Sequence, residues 1–173
     1  MKKTKKITLI SLLISFSLVL AHISHYLKVV PNVPITLDFS DIPIFISTLL
    51  FDSSYGYIIL ILVSIIRCLL FSYAGWPGVI IRVLTTSVAV LFLSLYKKSG
   101  KHFWMFSISA SLLSTLIKLP LNYFFWINFF SMNYEYVNSI LFSIIMPANI
   151  IKMIINISFA YLLCKKLKIF NVH

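Results

Sequence analysis

The sequence predicts an all-α membrane protein with six transmembrane helices and both termini cytoplasmic. Three observations carry this reading. Hydrophobic residues make up 60% of the chain and charged residues only 11%, against about 25% charged in a soluble domain. Six apolar runs follow one another with only short connections. The lysines cluster where six crossings bring them to a single side. In water, so few polar residues could not cover that much apolar surface, so the bilayer is the solvent that suits residues 1–173 as a single integral domain.

The first run, residues 7–27, is long enough to span and follows a basic start. It exceeds the usual 7–15-residue core of a secretory signal and reads as a retained helix. The second run, 42–51, is short and crosses only with help from its flanks or a thinned bilayer. The third to sixth, at 55–72, 78–96, 102–127 and 139–164, each approach or exceed the length needed for about 30 Å of hydrocarbon. Backbone groups in lipid must bond within their own segment, which makes these runs helices. The alternation of a membrane barrel is absent.

Charge sets the orientation. The formal net charge is +11. Lys2, Lys3, Lys5 and Lys6 precede the first span, Lys97, Lys98 and Lys101 lie between the fourth and fifth, and Lys165, Lys166 and Lys168 follow the sixth. Excess Lys and Arg mark cytoplasmic loops. Basic residues that flank spans suit anionic membrane lipid and give no case for nucleic acid as a partner.

The motifs speak against an enzyme. The chain has no G-x-x-x-x-G-K-[ST], and its four glycines cannot build one. It has neither H-E-x-x-H nor G-x-S-x-G. Cys68 and Cys164 fall toward opposite ends of the bundle, too far apart for a disulfide, and neither has metal-ligand spacing. No cofactor is expected. His22 and His25 read as interfacial helix surface.

What remains is a small set of polar residues in apolar runs. Arg67, Arg82, Lys118 and Lys152 each carry a cost of about 2–3 kcal/mol or more at mid-bilayer, so each needs a partner or a route to water. Arg67 and Arg82 lie near the outer ends and are expected to snorkel. Asn149 and Lys152 share a helix face, Pro147 loosens the helix just before them, and Asn122 and Tyr123 lie in the outer part of the fifth run. These groups either converge on a pocket in the outer half or serve as glue between helices.

The stretch LDFSDIP, residues 37–43, holds two of the four acidic residues. Asp41, with Ser40, is expected to cap the helix that starts at Ile42, where Pro43 fits the first turn. Asp38 is a turn too early for that. The loop 28–41, with Pro31, Pro34 and Phe39, is expected to act as a lid that Asp38 shapes or links to a ligand.

LDFSDIP, LPLNYF at 119–124 and MPANIIKMIINISFAYLLCKKL at 146–167 stand in the same order and spacing as motifs of a known family. The chain resembles the riboflavin-specific substrate-binding (S) components of energy-coupling factor (ECF) transporters over most of its length. The resemblance implies a subunit that binds riboflavin, or a close flavin such as FMN, from outside. The expected flavin-holding residues are Asn122, Asn149 and Lys152. It also implies a transmembrane scaffold subunit and two ATPase subunits as partners. Small residues on the first helix, here Ser11 and Ser15, would contact the scaffold. The chain departs from the family at IRCLLF, 66–71, where Arg67 replaces a lysine and Cys68 and Phe71 stand for an expected Asn and His. Other readings are an S component for pantothenate or thiamine, which would turn Arg67 or Arg82 inward, and a membrane assembly protein with no bound small molecule.

Overall fold

The computed structural model describes residues 3–26, 38–71 and 75–166, and these are helical apart from short turns. The helices are α1 (Lys3–Tyr26), α2 (Ile42–Leu50), α3 (Ser53–Phe71), α4 (Gly75–Ser99), α5 (Phe103–Asn128), α6 (Tyr134–Ile140) and α7 (Met146–Lys166). Five stretches are long and apolar enough to cross a membrane: α1, α3, α4, α5, and α6 joined to α7. The described bundle is apolar outside and partly polar inside. Leu12, Leu69, Leu116 and Phe142 are exposed, while Ser17, Ser111, Ser114, Thr115 and Asn156 are buried. That distribution fits lipid rather than water, because packing of membrane helices relies on small and polar residues at their interfaces.

The second run is the one element that differs from expectation. α2 has nine residues, about 14 Å at 1.5 Å per residue, and cannot cross the hydrocarbon by itself. Nearly every side chain on it is buried, so it is a core half-helix rather than a lipid-facing span. It packs against α1, α3, α4 and α7. Gly56 of α3 permits the closest of these approaches, since a Cβ there would lie 2.1 Å from Thr48 Oγ1.

One end of the bundle collects the basic groups. Lys6 Nζ sits over the Tyr55 ring, 3.9 Å from its centroid. Lys97 donates to the Phe51 carbonyl and lies 3.9 Å from Asp52. Tyr161 of α7 stacks on Phe103 at 4.1 Å and packs edge-on against Tyr96 of α4. These contacts bring the start of α1, the α2–α3 turn, the end of α4 and the last turns of α7 to the same end. α2 therefore ends there and begins about half a membrane thickness above it.

Two prolines shape the opposite half. Pro120 sits inside α5. α6 continues through a π-helical turn, Leu141–Ile145, into α7, with Met146 N donating to Leu141 O. Pro147 follows at once and has no N–H of its own to offer, a setting in which the wider turn re-satisfies the backbone. The outer part of α5 packs with α6 in a cluster of Val137, Ile140, Leu141, Ile145, Tyr123 and Trp126, separate from the main core around Ile44, Phe45, Val90 and Ile157.

Candidate functional site

The polar residues singled out in the sequence fall into two neighbouring groups. The first is built on the residues just before α2. Asp38 Oδ1 accepts from Ser40 N at 2.9 Å and from Ser40 Oγ at 2.5 Å. Its Oδ2 accepts from Arg67 Nη1 at 2.5 Å and Arg82 Nη1 at 3.2 Å. Asp41 Oδ1 accepts from Arg82 Nη2 at 2.7 Å, and its Oδ2 lies 3.4 Å from Lys152 Nζ. The Ser40 hydroxyl also accepts from both arginines at 2.8 Å. Main-chain groups are tied down as well. Asn156 Nδ2 donates to Asp38 O at 2.7 Å, Ser17 Oγ to Ser40 O at 2.5 Å, and Phe39 N to Ser24 Oγ at 3.1 Å. The group thereby joins α1, α2, α3, α4 and α7.

Three expectations change here. Asp41 stands at the N-cap position of α2, but its side chain makes no capping bond. The carboxylate is turned to Arg82 and Lys152, where a full opposite charge outweighs the partial charge of a short helix end. Ser40 likewise gives its hydroxyl to Asp38 rather than to the helix. Arg67 and Arg82 do not snorkel outward, because two carboxylates deeper in the bundle offer ion pairs. Burial alone would raise the pKa of Asp38. The charges of Arg82 and Lys152 and the bonds from Ser40 outweigh it, and the carboxyl is held below its ordinary value. Of the expected lid, 28–37 lie outside the described residues, and Phe39 is half-buried against the main core.

The second group lies between α5 and α7. Thr115, Lys118 and Asn122 are spaced three and four apart and share one face of α5. Lys118 Nζ donates to Asn149 Oδ1 at 2.7 Å, and Asn149 Nδ2 donates to Thr115 Oγ1 at 2.8 Å. On α7, Asn149, Lys152 and Asn156 form the facing stripe, so Lys152 links this group to Asp41. Asn122 lies one turn beyond Lys118, away from the basic end. It is 5% exposed, and among the described residues its amide has no hydrogen-bond partner. Lys118, one of the polar groups that the sequence singled out but not one of the expected ligand-holding residues, has no carboxylate within ion-pair distance among the described residues. Its four-residue offset from Asn122 was the signal that would have found it.

Tyr123 points elsewhere. Its ring packs edge-on against Tyr134 at 5.7 Å. Together with Leu119, Pro120, Asn138, Leu141 and Phe142 the two tyrosines line an open groove of about 390 Å³ between α5 and α6. Ser11 and Ser15 are exposed on α1, with hydroxyls bonded to Ile7 O and Ser11 O of their own helix. Ser17 and Ala21, which repeat their spacing, face the interior.

Chemically, the second group offers many donors and few acceptors. Two lysine amines and two amides lie on these facing stripes, and among the described residues the neighbouring carboxylates Asp38 and Asp41 are already paired with arginines. Such a site matches a planar ligand with several carbonyl-type acceptors and few donors.

Comparison with known proteins agrees with this architecture. Residues 5–164 match the family described as "ECF transporter, substrate-specific component". A solved structure described as the S component of a bacterial ECF transporter superposes with a TM-score of 0.79 at 27% identity, covering 99% of this chain and 100% of that one. A search of curated protein sequences found no match. The family match spans nearly the whole chain, and the protein is a multi-pass membrane protein belonging to the ECF transporter substrate-specific components.

Proposed function

We propose that the protein binds riboflavin, or a closely related flavin, from the extracellular side and serves as the substrate-binding subunit of an ECF-type importer. Asn122, Asn149 and Lys152 hold the ligand, with Lys118 beside them. The end that carries Lys6, Lys97 and Lys165 faces the cytoplasm, as the positive-inside rule requires. A transmembrane scaffold subunit and two ATPase subunits complete the machine, and the scaffold meets α1 at the exposed Ser11 and Ser15.

The observation that carries the reading is the amide of Asn122, which makes no hydrogen bond among the described residues and lies on the same face of α5 as Lys118, the partner of Asn149. An amide whose donors and acceptor are left open on that face is available to a ligand without cost to the fold. The pyrimidine edge of a flavin carries two carbonyl oxygens and ring nitrogens as acceptors and one N–H donor. Two amides and two lysine amines complement that pattern, and the apolar surroundings suit the xylene end.

A carboxylate-bearing vitamin is the competing reading, since Arg67 and Arg82 do turn inward. Both are already ion-paired with Asp38 or Asp41, so a second carboxylate would have to displace one of them. The test is an absorbance spectrum of protein purified in mild detergent from cells supplied with riboflavin. Co-purifying flavin that is lost in Asn149→Ala supports the proposal. A colourless, well-folded protein that does not quench added riboflavin contradicts it.

A further inference from the structure

An amide side chain is nearly symmetric in shape but not in chemistry, and its two ends present opposite hydrogen-bonding groups. For Asn149 the structure contains two independent reasons for one orientation. Thr115 Oγ1 donates its proton to Ser111 O at 2.7 Å. The hydroxyl oxygen then has only lone pairs to offer, so the Asn149 atom 2.8 Å away is the nitrogen. On the other side stands Lys118 Nζ, whose N–H donates to the remaining atom at 2.7 Å. That atom is the oxygen. One N–H and one lone pair of Asn149 are left over, in fixed positions.

Lys118 makes no ion pair within the charge cluster among the described residues. Its one hydrogen-bond partner among the described residues is this amide oxygen. An amine held between membrane helices for the sake of a single neutral bond is a poor structural device, given what an intramembrane cation costs. Thr115 alone would leave Asn149 free to swing about one hydrogen bond. With Lys118 opposite, the amide is pinned at both ends.

We propose that Lys118 is a specificity-determining positioning residue: through Asn149 it fixes which way round the substrate's donor–acceptor edge is read. The inference rests on the flavin reading above. A flavin presents carbonyl and N–H groups side by side, so an amide pinned one way pairs in one register. A flipped amide would set donor against donor there, and the loss would fall on binding rather than folding.

The test is a double-variant cycle on the full chain in detergent, with riboflavin fluorescence quenching as the probe. Lys118→Met is expected to weaken riboflavin about tenfold or more, the scale of one hydrogen bond to a charged group. The doubly substituted Lys118→Met/Asn149→Ala protein is expected to bind about as well as Asn149→Ala alone, because the lysine acts through the amide. Lys118→Arg, which keeps a donor-only cation, is expected to recover part of the loss. Ligand-free thermal unfolding of Lys118→Met is expected to match or exceed that of the unaltered protein, which separates positioning from a folding defect. Unchanged affinity in Lys118→Met, or effects of the two substitutions that multiply, would overturn the assignment while leaving the flavin reading intact. If the unaltered protein binds no riboflavin, the flavin reading falls and this assignment falls with it.

Discussion

The cluster around Asp38 and the face around Asn122 are neighbours, share Lys152 as a link, and are built from the same kinds of residue. They differ in saturation. Both oxygens of Asp38 and both of Asp41 have cationic or hydroxyl partners. Asn122 has none among the described residues, and Asn149 keeps half of its bonding capacity. The two carboxylates are saturated and hold helices together, although Arg82 Nε and Asn156 Oδ1 beside them have no partner, whereas the open Asn122 amide is available to a ligand. Under the proposed flavin reading, the difference separates residues that build the fold from those that would meet the ligand, although all of them looked equally out of place in an apolar sequence.

The largest effect is expected from Asp38→Ala. It leaves Arg67 and Arg82 facing each other without their shared carboxylate, and breaking a buried pair in this way costs about 3–5 kcal/mol. Ligand-free thermal unfolding in detergent should show the loss directly. A protein that kept its stability but lost its ligand would move Asp38 to the other side of the comparison. Acidification probes the same group. A carboxyl whose folded pKa is depressed contributes fully above the ordinary range near pH 4 and loses that contribution as pH falls through the lowered value. Asp38→Asn is therefore expected to flatten the acid limb of stability against pH.

Gly56→Ala comes next and is expected to touch only the fold. The added methyl meets Thr48 Oγ1 at 2.1 Å and Val90 at 3.2 Å, and overpacking of this kind costs about 1–3 kcal/mol. Riboflavin affinity of the surviving folded fraction should be unchanged, and a large selective loss of binding would show that α2 reports on the site more tightly than the structure implies. Asn149→Ala is expected to cost less stability, since it removes two internal bonds, but to weaken riboflavin by about tenfold or more. Ser11→Leu should leave both quantities of the isolated subunit untouched. Its effect, if α1 meets the scaffold, appears only when co-purification with the partner subunits is measured.

Much of this was legible in the sequence. The order of the apolar helices, the five long spans and the common end of the lysine clusters follow from apolar run length and the positions of Lys6, Lys97 and Lys165, whereas the split of the sixth run into α6 and α7 does not. The convergence of Asn149 and Lys152 was readable from their three-residue spacing. What was not legible depends on partners distant in sequence. Asp41 looks like a helix cap until Arg82 and Lys152, 41 and 111 residues further on, are brought beside it. Arg67 looks like a snorkelling side chain until Asp38 lies beneath it. The role of α2 depended on its flanks, since a nine-residue helix is equally good as part of a crossing or as a core element. Its burial on nearly all sides decides for the core.

The central claim is that Asn122 is reserved for the ligand, and Asn122→Ala tests it most directly. Two quantities are needed from the same preparation: ligand-free thermal unfolding and the riboflavin dissociation constant by fluorescence quenching. The account predicts that stability stays within about 0.5 kcal/mol of the unaltered protein, because no internal bond is lost, while riboflavin binding weakens by about tenfold or more. Riboflavin bound equally well by the two proteins, or bound by neither, would contradict it.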